Sequence, residues 1–192
     1  MSLADRHASN TWRVPAGVET LRDGGAVLLR PAAPADAERL RRMFYRLSPG
    51  TRQRWFFVPA PCSPWWAAYL ARLAEVDGRN QWAVVAAVGD EVVGIARYDR
   101  LQAGDEAELA ILIEDTWQAR GLGRRLLARL IAEAGRRRIG AFTATVLGDN
   151  RPALRLLAAL FPDRQARFEQ GEYRMRARLP GLPGGLADAG GR

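Results

Sequence analysis

Glu106-Ala107-Glu108-Leu109-Ala110-Ile111-Leu112-Ile113-Glu114-Asp115-Thr116-Trp117-Gln118-Ala119-Arg120-Gly121-Leu122-Gly123-Arg124 is the stretch that decides how this chain folds. Glu106 to Ile113 is mostly apolar and reads as a strand. A Gln-x-x-Gly-x-Gly turn follows, and a long amphipathic helix opens at once. A strand that passes through glycines onto a helix N-terminus is a site for an anion. The first-turn N–H groups lack partners, the helix dipole adds partial positive charge, and glycine lets a ligand approach the backbone. The anion most often found there is a pyrophosphate, so the chain reads as one that binds a phosphorylated cofactor.

Downstream, Gly121 to about Arg137 places Leu122, Leu126, Leu127, Leu130, Ile131 and Ala134 on one helical stripe. Ala141 to Leu147 returns as a strand. With a helix between them, it is predicted to lie parallel to Glu106–Ile113 through a right-handed crossover. Asn150 is placed to cap a helix running to Leu160, with Pro152 in its first turn. Gln165–Glu169 and Glu172–Leu179 read as a closing antiparallel pair around Gln170-Gly171. Upstream, Gln81–Val88 and Glu91–Arg100 are strands joined across Gly89-Asp90, so Glu106–Ile113 is the third of a run. Ala35 to Arg46 has apolar residues at helical spacing. Ser48-Pro49 and Ser63-Pro64 each set an N-cap before a proline, opening two further short helices. Ala26 to Arg30 reads as a short strand after the turn Asp23-Gly24-Gly25. Residues 1–18 read as a flexible lead, 19–179 as one domain, and 180–192 as a disordered tail rich in Gly, Pro and Ala.

The 192 residues suit one domain with a real core, and 48% apolar with 26% charged is ordinary for a globular protein. No apolar run approaches the ~20 residues of a membrane span. The N-terminus lacks the order of a signal peptide, and Cys62 is the single cysteine; together these point to the cytoplasm. The net charge is +8 and every basic side chain is Arg, since the chain holds no Lys. GC-rich codon usage accounts for that, and so would selection on a lysine-acylating protein to have none of its own. The arginines are spread among carboxylates, which disfavours nucleic acid as a partner. The run Arg136-Arg137-Arg138 suits a helix end, where cations complement the dipole.

Two cofactor classes fit poorly. A P-loop needs Gly-Lys-Ser/Thr, and no lysine exists. A dinucleotide fingerprint follows the first strand, with an acidic residue about 20 positions on. Here the turn comes late, and that position falls in the arginine run.

The order strand, two helices, three strands, Gln118-Ala119-Arg120-Gly121-Leu122-Gly123, helix, strand, and the helix of Asn150-Arg151-Pro152-Ala153-Leu154-Arg155-Leu156-Leu157 resembles the GCN5-related N-acetyltransferase (GNAT) superfamily. The resemblance covers roughly Ala26 to Arg178. Arg30-Pro31-Ala32-Ala33-Pro34-Ala35-Asp36, Arg46-Leu47-Ser48-Pro49 and Arg54-Trp55-Phe56-Phe57 are similar to acetyltransferase domains of bacterial protein-lysine acetyltransferases. It implies the GNAT fold: an α/β arrangement with a central mixed, mostly antiparallel sheet, splayed parallel strands and flanking helices. It also implies acetyl-CoA as cosubstrate and a primary amine as acceptor, most of all a protein lysine. The backbone of Ile111, Leu112 and Ile113 would pair with the pantetheine. The amides of Gln118, Ala119, Arg120, Gly121, Leu122, Gly123 and Arg124 would hold the pyrophosphate, with Arg124 or Arg125 adding charge, and Asn150 would contact the cofactor near the pantetheine. No metal is called for.

A lysine ammonium (pKa about 10.4) must lose a proton before it attacks a thioester, and the oxyanion then formed must be stabilised. Glu108 is the candidate general base, since it matches the family's glutamate and its apolar strand is expected to desolvate it and raise its pKa. A Glu facing solvent at a strand end is the plain alternative, and Glu106 takes the role if the register is off by two. The oxyanion is expected to meet a backbone N–H close to Leu112. Many relatives carry a Tyr where Leu157 stands, to protonate the leaving thiolate; water or Tyr98 would serve here. The acidic group Asp105, Glu106, Glu108, Glu114 and Asp115 would draw an amine, or is simply solvated. Trp55, Phe56, Phe57, Trp65 and Trp66 are core or an acceptor wall, and Cys62 receives no chemistry. A small-molecule amine acetyltransferase and a non-catalytic acyl-CoA-sensing module remain as alternatives.

Overall fold

The computed structural model describes residues 16–101 and 104–179. The lead up to residue 15 and the tail from residue 180 lie outside them. One mixed sheet runs in the order β1-β2-β3-β4-β5-β6-β8-β7. Its strands are β1 (Gly17–Thr20), β2 (Ala26–Pro31), β3 (Gln81–Val88), β4 (Glu91–Arg100), β5 (Glu106–Ile113), β6 (Ala141–Leu147), β7 (Gln165–Glu169) and β8 (Glu172–Arg178). Every neighbouring pair is antiparallel except β5 and β6. The helices are α1 (Asp36–Arg46), α2 (Pro49–Phe56), α3 (Pro64–Ala71), α4 (Leu122–Arg136) and α5 (Arg151–Leu160).

Period-2 alternation sorts the sheet side chains into two cores. Trp82, Tyr98, Leu109 and Phe142 face the stripe Leu122, Leu126, Leu127 and Leu130 of α4, together with Leu157 of α5. Val85, Ile95 and Leu112 face the other way, against Leu40, Met43 and Phe44 of α1 and Leu70 of α3. The wall expected of aromatics divides: Trp55, Phe56 and Trp66 pack on this second core, while Trp65 stacks with Tyr69 in solvent.

β1 corrects the reading of residues 1–18 as a lead, because Gly17 pairs with Leu29 and Val18 with Leu28. Four alternating residues at a sheet edge carry no apolar run, so periodicity misses them. Other local signals act as their chemistry dictates. Ser48 Oγ caps α2 by accepting from Thr51 N at 3.1 Å, and Asn150 caps α5 through Ala153 N at 3.3 Å. Ser63 precedes α3 without a side-chain cap. Among the described residues no helix is long and apolar enough to cross a membrane.

Ion pairs fix the first helix to the sheet. Arg30 of β2 grips the buried Asp36 through two bonds of 2.6 Å, and Ala33 N adds a third at 2.9 Å. Arg39, Arg42 and Arg46 reach from α1 to Asp90 and Glu91 at the β3–β4 turn, and Arg46 continues to Glu114 at 2.9 Å. Burial pushes the Asp36 carboxyl up, but the bonds from Arg30 and Ala33 outweigh it and hold it below its ordinary value.

Removing that carboxylate strands the Arg30 guanidinium, so Asp36→Ala is expected to lose about 2 kcal/mol in urea unfolding. The depressed folded pKa sets the sign with pH. The pair's stabilisation is present above the unfolded carboxylate value of about 4 and is lost as pH falls through the folded one. Unfolding curves taken through acid should show that loss in the wild type and little of it in the variant.

Candidate functional site

The site begins where two strands part. β5 and β6 pair only at Glu106–Ala141, Ala107–Phe142 and Glu108–Thr143. Beyond Glu108 the rest of β5 has β4 on one side and, among the described residues, no strand on the other. Glu114 N donates to Val93 O at 3.0 Å, and antiparallel pairs alternate, so Leu112 and Ala110 bond toward β4. Leu109, Ile111 and Ile113 therefore turn their backbone groups into the gap. The expectation that Ile111, Leu112 and Ile113 all present backbone to a ligand is corrected at Leu112. Its N–H serves β4, so the oxyanion donor expected near Leu112 is not Leu112 itself.

The gap widens into a cavity of about 520 Å³, a size suited to a small molecule. Ile111, Leu112 and Ile113 form one wall, and Asn150, Pro152, Ala153, Leu156 and Leu160 of the α5 region form the other. Gln118, Ala119, Gly121, Gly123 and Arg124 close one end. Two residues of that turn are left-handed, Ala119 at φ 61° and Gly121 at φ 90°. The turn thereby faces its amides outward. None of the N–H groups from Ala119 to Arg124 has a protein acceptor among the described residues. Such a row of unsatisfied donors at a helix start is an anion cradle. Gly123 has a second reason to be glycine: a Cβ there would lie 2.8 Å from Leu156 Cδ2.

The side chains of the turn divide by task. Gln118 Nε2 donates to Ile113 O at 3.0 Å and reaches Thr51 Oγ1 at 3.4 Å, tying the strand end to α2. Arg120 lies over the Trp117 ring and pairs with Asp23 at 3.1 Å, so its guanidinium is spoken for. Leu122 is buried in the core under α4. Of the two arginines offered for charge, Arg124 lines the cavity and Arg125 pairs with Glu19.

Three cationic lining residues escaped the sequence reading: Arg22 from the β1–β2 turn, Arg54 from α2 and Arg155 from α5. Among the described residues none has a carboxylate partner, and Arg54 Nε is buried without a hydrogen-bond partner there. They come from distant parts of the chain. The signal that could have found Arg54 is its place one turn past the Ser48-Pro49 cap. Asp115 holds α2 in place, accepting from Ser48 N at 2.9 Å, Ser48 Oγ at 2.6 Å and Thr51 Oγ1 at 2.7 Å. Burial raises the Asp115 carboxyl, but those bonds outweigh it and hold it below its usual value.

Glu108 stands at the last paired position before the gap, on the face of α1 and α3. It is exposed, and this corrects the expectation of a desolvated carboxylate. The helices on this face cover Leu112, Ile95 and Val85, and Glu108 lies past their edge. It has no side-chain partner among the described residues, whereas Glu106 is bound by Arg176 at 2.7 Å. Much of the expected acidic field is likewise engaged, since Glu114 pairs with Arg46 and Asp115 accepts from Ser48 and Thr51 at the start of α2.

Tyr98 is excluded as a proton donor to this cavity. It does not line the cavity but lies in the core under α4 between Trp82 and Phe142, fully buried, its hydroxyl unpartnered among the described residues and its pKa pushed up to about 12 by burial. Leu157 is buried in the same core, and no tyrosine lines the cavity among the described residues.

The donor set fits a diphosphate-bearing, amide-bearing cofactor: free turn amides, unpaired arginines and an exposed strand edge. Comparisons with known proteins agree. The family model for acetyltransferase (GNAT) proteins matches residues 41–161. A Pseudomonas aeruginosa acetyltransferase is 38% identical over 124 residues, covering 62% of this chain and 65% of that protein. The acetyltransferase Pat of Mycolicibacterium smegmatis is 33% identical over 134 residues, covering 68% of this chain and 39% of that protein. The chain thus spans less than two thirds of the length of these curated relatives. The crystal structure of the GNAT domain of S. lividans PAT superposes with a TM-score of 0.75 at 31% identity, covering 85% of this chain and 97% of that domain. A sheet parted beside an amide-lined helix start, matched across most of its length by these relatives, places this chain in the acetyltransferase (GNAT) family, which uses acetyl-CoA.

Proposed function

We propose that the chain transfers an acetyl group from acetyl-CoA to a primary amine, the amine being a protein lysine, in the cytoplasm. The observation that carries the reading is the parting of β5 from β6 directly after Glu108, which opens an amide-lined cavity along the same strand that carries this carboxylate. The lysine acceptor rests on the segments from Arg30 to Phe57, which resemble those of protein-lysine acetyltransferases.

When bound, acetyl-CoA supplies a thioester carbonyl as electrophile and a thiolate as leaving group. The residues do the remainder. The amides of Ala119 to Arg124 hold the diphosphate, and Arg22, Arg54, Arg124 and Arg155 neutralise it. The backbone of Ile111 and Ile113 pairs with the pantetheine amides, as a strand would. Glu108 takes a proton from the acceptor ammonium, through water, as its exposure allows. With no phenol among the described lining residues, solvent would be the source of the proton for the departing thiolate.

Acetyl-CoA and free CoA at a hundredfold excess over Kd should each stabilise the protein by about 2.7 kcal/mol in thermal unfolding, while NAD should not. Failure of both CoA species to stabilise would sink the cofactor assignment. Gly121→Ala, forced to hold φ near 90°, is expected to weaken CoA binding and cost about 1 kcal/mol in stability. Glu108→Gln should lower kcat on a lysine peptide by about 100-fold or more with CoA affinity kept; an unchanged kcat removes Glu108 from the chemistry.

A further inference from the structure

The strand registers carry one line of polar residues straight across the sheet. Gln81 pairs with Asp99, Asp99 with Glu108, Glu108 with Thr143, Thr143 with Arg176, and Arg176 with Gln165. Positions paired across strands share a face, so all six lie on the side that α1 and α3 cover only in part. On the β4 side of Glu108 the row is electrically closed: Asp99 takes Arg97 Nε at 2.8 Å and Gln81 Nε2 at 2.7 Å. On the other side it opens onto β8 and β7. There Arg174 and Arg178 flank Arg176 on the same face, and Arg167 stands opposite Arg174. Arg176 is tied to Glu106 and Arg167 to Glu169, whereas Arg174 and Arg178 are exposed and have no carboxylate partner among the described residues.

We propose that this arginine patch is the docking surface for acidic residues of the acceptor polypeptide, next to the lysine that Glu108 serves. The inference rests on the lysine-acceptor reading above and adds what surrounds the lysine. Strands lie about 4.8 Å apart and an extended chain advances about 3.3 Å per residue. β8 and β7 are the second and third strands beyond Glu108. A lysine held at Glu108 therefore places residues about three to five positions away over Arg174 and Arg178. Carboxylates there meet unpaired guanidinium groups, and basic residues there meet repulsion.

The test uses lysine peptides identical except at three to five positions on either side of the lysine, where they carry Glu, Gln or Arg. Acetyl-CoA turnover is measured for wild type and for Arg174→Gln/Arg178→Gln, two exposed positions outside the cavity. For the wild type we expect kcat/KM to favour Glu over Gln by about fivefold and Gln over Arg, through KM with kcat unchanged. The preference should collapse in the variant and shrink with added salt, while the Gln peptide is turned over equally by both proteins. Equal kcat/KM across the set, or a preference that the variant keeps, overturns the inference and leaves the lysine-acceptor reading standing. No acetylation of any peptide by a protein that binds CoA overturns both. A kept preference alongside lost affinity for duplex DNA assigns the arginines to nucleic acid instead.

Discussion

Everything at this site depends on backbone groups that the sheet leaves unpaired. A buried strand normally spends its N–H and C=O groups on both neighbours, and an unpaired edge inside a protein is costly. β5 breaks that rule beyond Glu108. The cost is contained because the edge lines an open cavity and because Gln118 returns one bond to Ile113 O. The turn then repeats the pattern with its own free amides, made possible by left-handed Ala119 and Gly121. Strand edge and helix start thus face one cavity with donors in hand.

α2 is the part that makes the cavity one-sided. Asp115 follows β5 by two residues and anchors Ser48 and Thr51, so the helix that carries Arg54 and Trp55 is registered against the strand end. Thr51 also meets Gln118. The glycine turn and α2 are therefore tied together through side chains, and neither can shift without disturbing the other's hydrogen bonds.

Much of this was legible from local chemistry. Glycines at 121 and 123 after an apolar strand, the Ser48-Pro49 start and the Asn150 cap each name their geometry without reference to the rest of the chain. What was hidden is what tertiary placement decides. Glu108 sits in an apolar strand on the face of Leu112, but its exposure depends on where α1 and α3 end, and no strand pattern encodes a helix footprint. Leu112 was credited with a ligand-facing amide because register was unknown; one bond, Glu114 N to Val93 O, fixes the parity of the whole strand. Arg22, Arg54 and Arg155 converge from separate elements and leave no mark of that in a sequence where every cation is Arg.

The short seam between β5 and β6 has a mechanical meaning. Three residue pairs join two leaves of one sheet, β1 to β5 on one side and β6, β8 and β7 on the other. Glu108 sits on the seam itself, with Arg174 on one leaf and Asp99 on the other. A molecule lying in the parting bridges both leaves as a missing strand would. A cosubstrate lying there would work as a spacer, setting the width between the two leaves.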